Sequence, residues 1–264
     1  MNDITLIQGL ILVIVAIVVG LDAWLEGFFI FRPIIVSTLT GFVLGDVTLG
    51  IVCGGLTELA FAGLTPAGGT QPPNPVLAGI MTPVIAYSTG VDAKTAMALA
   101  LPFSFLMQYI LLFYYSSFSL FMRKADLYAR EANVKAFSQL NIKLMVIVGI
   151  TNGVVVFLCA YLAQTPMRSL VESMPVWLTN GFGVAGGVLP AVGFALLLRV
   201  MMKKEFIPFF IVGFVFASFL PFSNLLPVAV IGAAFALYDF FNQQKKNTLA
   251  PAAPNGGMDY HDGI

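Results

Sequence analysis

An all-helical, polytopic membrane protein is the fold class this sequence predicts, on three observations. Hydrophobic residues make up 59% of the 264 and charged residues only 10%, where a soluble domain would carry roughly a quarter charged. Uncharged runs long enough to cross a bilayer recur, beginning with the 18 residues from Ile4 to Leu21, about 27 Å as a helix at ~1.5 Å per residue. Between such runs lies a segment unsuited to regular helix, GGLTELAFAGLTPAGGTQPPNP, from Gly54 to Pro75. Irregular backbone at membrane depth must be enclosed by protein or line a polar cavity, because an unsatisfied peptide group in hydrocarbon costs several kcal/mol.

The N-terminus begins MNDITLIQGL, with an Asp and no Lys or Arg. Lacking a basic n-region and a small-residue cleavage site, the first apolar run is predicted to be a retained membrane segment rather than a signal peptide. It ends at Asp22, Glu26 and Arg32, which read either as an ion-paired group at a membrane boundary or as ligand contacts. Pro33 starts a second apolar run that continues to Asp46, and Val47 to Ala62 forms a third that carries Glu58. After Pro75 the chain is apolar again to Tyr87, followed by the polar turn STGVDAK.

Thr95 to Met122 is 28 residues without a charge, enough to span with tilt. It stops at residues 123–143, which hold Arg123, Lys124, Arg130, Lys135 and Lys143. This is expected to be a loop, and the positive-inside rule places it in the cytoplasm. Leu144 to Pro166 then spans outward, TPMRSLVESMP forms an external loop, and Val176 to Leu198 returns to Arg199, Lys203 and Lys204. Phe206 to Tyr238 is uncharged but interrupted by PFSNLLP. Its two parts are short for full spans and suggest a re-entrant hairpin.

Residues 1–241 are therefore read as one membrane domain, and 242–264, polar and rich in Pro, Ala and Gly, as a flexible cytoplasmic tail or docking peptide. A second Gly-rich stretch, TNGFGVAGGVLP at 179–190, pairs with the first. Paired interruptions of this kind suggest an inverted repeat with a site at the repeat interface.

Several function classes are excluded at this level. The net charge is zero, with 13 basic and 13 acidic residues, so nucleic-acid binding has no electrostatic footprint. Cys53 and Cys159 lie in apolar segments without a metal or redox spacing and read as buried structural thiols. There is no Walker sequence and no Ser/His/Asp arrangement, and the single histidine, His261, lies in the tail. No catalytic residue, metal or cofactor is expected, and the energy for transport comes from elsewhere.

The substrate-site candidates are Glu58, Thr65, Gly69, Thr70, Gln71 and Asn74. An ionised carboxylate in a membrane segment costs about 2.5–3.5 kcal/mol on insertion scales, so Glu58 needs compensation. It either accepts hydrogen bonds from ligand hydroxyls or is a structural group held by an Arg or a backbone N–H. Gln71, Asn74, Thr65 and Thr70 offer paired donors and acceptors, which suit the hydroxyls of a sugar. The alternative is that some of them cap half-helices broken by the prolines. Trp24 and Trp177 read as interfacial anchors, Asp46 as a helix end, and Asn180 as a further polar candidate.

The spacing Arg32, Pro33, Thr38, Gly41, Leu44, Gly45, Asp46, Gly50, Gly54, Gly55, Glu58, with TNGFGVAGGVLPAVGFALLL later, resembles the IIC permease subunit of the mannose-type (mannose/fructose/sorbose) sugar phosphotransferase system. The resemblance extends to about Tyr238. At Asn74, where mannose-type members tend to carry an acidic residue, GGTQPPNP resembles the N-acetylgalactosamine and galactosamine branch. The resemblance implies a multi-pass subunit of the bacterial cytoplasmic (inner) membrane, in an oligomeric complex with a IID membrane subunit. It further implies that a cytoplasmic phosphohistidine IIB protein, supplied by IIA, phosphorylates the incoming sugar. The chain would thus belong to a phosphotransferase complex without a phosphorylatable residue of its own. The competing reading is an ion-coupled secondary transporter with Glu58 as coupling carboxylate.

Overall fold

The computed structural model describes residues 2–64, 72–220 and 226–249, and every regular element among them is helical. Two compact units divide the chain, Met1–Val200 and Met201–Ile264. Four of the described helical segments are long and apolar enough to cross a membrane: Leu6–Leu25, Ala93–Arg130, Val134–Leu162 and Val176–Met201.

In the first unit, helix α1 (Leu6–Leu25) starts at a capping box. The Gln8 amide donates to the Thr5 hydroxyl at 3.3 Å, and the Thr5 amide donates back to the Gln8 side chain at 2.9 Å, satisfying two orphan donors of the first turn. The helix ends at Glu26 in the left-handed region, φ 48°. Buried Asp22 then organises the turn that follows, accepting from the amides of Phe28 (2.7 Å), Ile30 (2.7 Å) and Phe31 (3.3 Å). The expected pairing of Asp22, Glu26 and Arg32 therefore does not form. Three backbone donors already satisfy Asp22, and Arg32 turns to another carboxylate.

Helices α2 (Pro33–Leu44) and α3 (Val47–Phe61) make a tight hairpin. Pro33 occupies the first turn of α2, where its missing N–H costs nothing. Gly45 adopts φ 88° at the far end, a conformation that favours glycine. Asp46 is the N-cap of α3, accepting from the Leu49 amide at 2.9 Å. The two helices meet at Gly41 and Gly50: a Cβ on Gly41 would lie 2.6 Å from the Gly50 Cα and from the Asp46 carbonyl oxygen.

Helix α4 (Pro75–Thr89) is buried over nearly its whole length. At 15 residues it is about 22 Å long, short of the ~30 Å hydrocarbon core. Being apolar all round, it is stable only surrounded by protein. Leu77, Ile80, Met81, Val84 and Ile85 form the centre of the core with Leu12, Val36 and Met107. Its hydroxyls donate back along the helix, as Thr82 Oγ1 does to the Ala78 carbonyl at 2.8 Å, and Ser37 of α2 donates to its Gly79 carbonyl at 2.6 Å.

Helix α5 (Ala93–Arg130) has 38 residues and α6 (Val134–Val156) continues through a π-helical turn at Phe157–Leu162. At about 57 Å, α5 outruns any bilayer. Residues 123–143 are consequently not a loop. The basic residues ride on the ends of α5 and α6, and only Glu131–Asn133 turns, with Ala132 at φ 53°. The TPMRSLVESMP segment, expected as an external loop, is likewise helical through most of its length, as α7 (Gln164–Ser173). Gln164 exchanges hydrogen bonds with the Ile4 backbone (2.8 and 3.2 Å), and Arg168 reaches Asp3 at 2.9 Å and the Ser88 carbonyl at 3.2 Å, fastening the N-terminus.

Helix α8 (Val176–Met201) runs unbroken through residues 179–190. The second Gly-rich stretch is thus no interruption, and the pairing that suggested an inverted repeat is lost. Its glycines serve close approach: Gly186 packs on the Lys94 carbonyl and Gly193 on the carbonyls of Leu59 and Ala60. Cys53 and Cys159 are buried free thiols, and Trp177 is exposed.

The second unit contains a 3₁₀ turn (Lys204–Phe206), α9 (Ile207–Phe219) and α10 (Leu226–Leu249). Phe209, Phe216 and Phe235 line an apolar cleft of about 180 Å³ between α9 and α10. Pro221 to Asn224 of the PFSNLLP interruption, with Leu225, lie outside the described residues. Helix α10 continues to Leu249, past Asn242 where the sequence turns polar.

Candidate functional site

A polar residue inside a membrane bundle costs free energy, so a cluster of them around free space marks a site. The first unit contains such a space, a cavity of about 340 Å³. It is bounded by the C-terminal half of α1, the Phe29–Pro33 turn, the end of α3, the Pro72–Pro75 entry into α4, and the middles of α5 and α6. Glu26, Arg32, Asn74, Gln108, Tyr115 and Asn152 supply its polar groups, and Trp24, Phe29, Phe31 and Phe61 its aromatic walls.

The aromatic wall is ordered by packing. Trp24 stacks on Tyr115 with centroids 5.5 Å apart and planes inclined by 18°, and meets Phe118 edge-on at 6.2 Å. Tyr114 stacks on Phe118 at 5.3 Å, and Phe118, Leu144 and Val148 form a small core against which Trp24 and Tyr114 pack. Trp24, expected as an interfacial anchor, is partly buried, its ring packed on the aromatic and aliphatic surface that α5 and α6 offer it.

Of the six predicted substrate residues, Glu58 and Asn74 are described, while Thr65, Gly69, Thr70 and Gln71 lie outside the described residues. Asn74 lines the cavity and is buried. Its Oδ1 caps α4 by accepting from the Leu77 amide at 2.9 Å, and its backbone is clamped to α5 through Ser104, whose hydroxyl donates to the Asn74 carbonyl at 2.6 Å. Helix-capping, one of the two sequence readings for these polar residues, is thus what the Asn74 carbonyl oxygen does.

Glu58 does not line the cavity. Its Oε1 receives Nε of Arg32 at 2.7 Å and also Nη2 of Arg32, and its Oε2 accepts from the Ile34 amide at 3.2 Å. The carboxylate is compensated as a structural group held by an Arg and a backbone N–H, and Arg32 stands between it and the cavity. Asn180 belongs elsewhere, to a separate polar cleft with Asp92, Lys94 and Thr179. There Asp92 caps α5, and the Thr95 hydroxyl (2.5 Å), ahead of the Thr95 and Lys94 amides, holds its carboxyl below the ordinary range.

Sequence reasoning missed Gln108, Tyr115 and Asn152. The rule that singled out Glu58, a polar group within an apolar run, applies equally to Gln108 in LPFSFLMQYILLF and Asn152 in LMVIVGITNGVVV. Among the described residues no group of three His, Cys, Asp or Glu side chains could hold a metal ion.

Comparison with known proteins places this architecture. The family model described as the PTS system sorbose-specific IIC component matches residues 6–238. The N-acetylgalactosamine permease IIC component 1 of Escherichia coli (strain K12) is 61% identical over 267 residues, with 100% of both chains covered. The mannose-specific EIIC component of the same strain is 29% identical with 97% of each covered. Among solved structures, a membrane protein superposes with a TM-score of 0.83 at 29% identity, covering 93% of this chain and 99% of that one. The cryo-EM structure of the mannose transporter ManYZ in complex with microcin E492 gives 0.58, also at 29% identity, covering 90% and 96%. The helical membrane fold, the match over nearly the whole chain and the polar cavity within the bundle converge: this chain belongs to the sorbose-specific IIC family, the multi-pass membrane permease subunits of the sugar phosphotransferase system.

Proposed function

We propose that the substrate is N-acetylgalactosamine, taken up through the cavity of the first unit and phosphorylated on arrival. The observation that carries the site assignment is the composition of that cavity: stacked Trp24 and Tyr115 beside Arg32, Gln108 and Asn152. Sugars present apolar C–H faces between hydroxyl edges, so an aromatic face with hydrogen-bonding groups around it suits them. The identity of the sugar is supported by the 61% identical E. coli permease component, which covers the whole chain. Thr65, Gly69, Thr70 and Gln71 are proposed to complete the site. The Pro72–Pro75 segment that follows them directly lines the cavity.

In this reading Glu58 is a positioning residue that aims Arg32. That role disfavours the ion-coupled alternative, since a carboxylate already engaged by a guanidinium is poorly placed to carry a proton or Na⁺. Transport energy comes from phosphoryl transfer: a IID membrane subunit completes the complex, and a cytoplasmic IIB phosphohistidine protein, recharged by IIA, phosphorylates the sugar. The chain sits in the bacterial inner membrane. The basic ends of α5 and α6, with the C-terminus, face the cytoplasm, where they offer a docking surface to IIB. Helices α2 and α3, at 12 and 15 residues, are too short to span and are read as a re-entrant hairpin, with α9 and α10 as a second.

The experiment is uptake of labelled N-acetylgalactosamine by cells lacking their own system and expressing this chain with its IID, IIB and IIA partners. Trp24→Ala should raise KM for uptake about tenfold, the upper end of an aromatic contact of ~0.5–1.5 kcal/mol, while Trp24→Phe stays within about threefold. Wild-type uptake without IIB, or Trp24→Ala indistinguishable from wild type, would reject the reading.

A further inference from the structure

Asn152 is a polar side chain that the bundle has almost entirely enclosed. It is 4% exposed, on a stretch of α6 where Val148, Gly149, Gly153, Val155 and Val156 are also buried. Its amide nitrogen donates to the Val148 carbonyl at 2.9 Å. That bond decides which way the amide faces, since only the nitrogen can donate. The carbonyl Oδ1 is left over, and among the described residues nothing donates to it. No buried side-chain polar atom among the described residues is shut away without a partner, so Oδ1 is not fully enclosed, and the free space that Asn152 lines is the cavity.

Its position is also held by α1. Gly20 of α1 lies flat against the amide, and a Cβ there would come within 2.6 Å of Asn152 Cγ and 2.8 Å of its Nδ2. The bundle thus keeps one uncharged acceptor at a set position among Leu111, Val148 and the Trp24–Tyr115 pair.

We infer that Asn152 is a specificity-determining residue that reads the nitrogen substituent of the sugar, its carbonyl accepting the acetamido N–H and favouring an N-acetylated sugar over the free amine. This rests on the cavity being the sugar site. An acetamido N–H has one proton to give and no charge, which a single neutral carbonyl matches. An ammonium brings a charge and three protons, and in a site of low polarity it needs an anionic partner and further acceptors to replace its water. Asn152 supplies neither, and the charge of Arg32 on the same cavity is already paired with Glu58. Glu26, the carboxylate that also lines the space, caps the C-terminus of α1 in an exposed turn, where water screens its charge.

The test is a specificity ratio, uptake of N-acetylgalactosamine over uptake of galactosamine, each as kcat/KM in cells carrying the full chain and its partner subunits. Asn152→Asp keeps the shape and replaces the neutral acceptor by a carboxylate, which should lower the ratio at least tenfold. Asn152→Ser keeps an uncharged acceptor on a shorter arm and should lower it by less than Asn152→Asp. Its ratio decides the matter where Asn152→Asp fails to reach the membrane: a value equal to wild type overturns the inference, and a lower one with protein at wild-type level supports it. An unchanged ratio in Asn152→Asp overturns the assignment of Asn152 alone. Wild-type uptake of neither sugar overturns the functional reading, and this inference with it.

Discussion

Arg32 and Glu58 are joined by two guanidinium hydrogen bonds, from Nε at 2.7 Å and from Nη2, across the mouth of the α2–α3 hairpin. Because Glu58 Oε2 also takes the Ile34 amide, the carboxylate ties the first turn of α2 to α3 and holds the guanidinium at the edge of the cavity. Both guanidinium donors converge on Oε1, a two-donor grip from one rigid group that the single ammonium of a Lys does not reproduce.

Glu58→Gln should therefore reduce sugar uptake at least tenfold at unchanged membrane expression, and Arg32→Ala should do the same. As the two act as one unit, the double variant should be little worse than either alone. The side chains are 41% and 20% exposed, so their coupling in thermal stability should be modest, about 1 kcal/mol. Uptake assays on the four-member cycle, with immunoblotting of membranes, check this. Wild-type uptake by Glu58→Gln would end the assignment.

The contact between Gly41 and Gly50 leaves no room for a methyl group, since a Cβ on Gly50 would lie 2.6 Å from the Ser37 carbonyl oxygen and 2.8 Å from the Gly41 Cα. Backbone cannot swing aside as a side-chain end can. Gly50→Ala should cost about 1–3 kcal/mol, the usual range for overpacking, read as a lower melting temperature of the detergent-solubilised protein. Gly55→Ala provides the control, because nothing lies within 4 Å of a Cβ there. Equal melting temperatures for the two variants would contradict the hairpin geometry.

Asp92 caps α5 and has its pKa lowered, first by the Thr95 hydroxyl and then by backbone amides. A carboxyl with a depressed folded-state pKa contributes stability that is complete above its unfolded value, about 3.9, and is lost as pH falls through the lower folded value. The cap should thus be intact throughout the neutral range and fail only in acid below about pH 4. Asp92→Ala should cost about 1 kcal/mol at pH 7, as N-cap truncations do, and the difference from wild type should shrink on acidification. Thermal melts at pH 7 and in acid check both, and a difference that grew in acid would reverse the sign.

Much of this was legible in the chain itself. Hydropathy is a local property, so the membrane class and most helix boundaries followed from runs and breaks such as Pro33, Gly45–Asp46 and Asn74–Pro75. The pattern from Arg32 to Glu58 was legible because it is contiguous, and it pointed to the family that the comparison with known proteins established. Even the need of Glu58 for compensation could be read from its surroundings.

What the tertiary structure alone decided is who meets whom. Arg32 had Asp22 and Glu26 as nearer candidates in sequence, yet Asp22 is taken by the amides of its own turn, which frees the guanidinium for a partner 26 positions away. Trp24 reaches Tyr115, and Gly20 faces Asn152, only because α1, α5 and α6 pack side by side. The sequence by itself determined which solvent each segment prefers, since transfer free energy is a sum over residues. The cavity is a product of packing between helices far apart in the chain, and no local sum contains it.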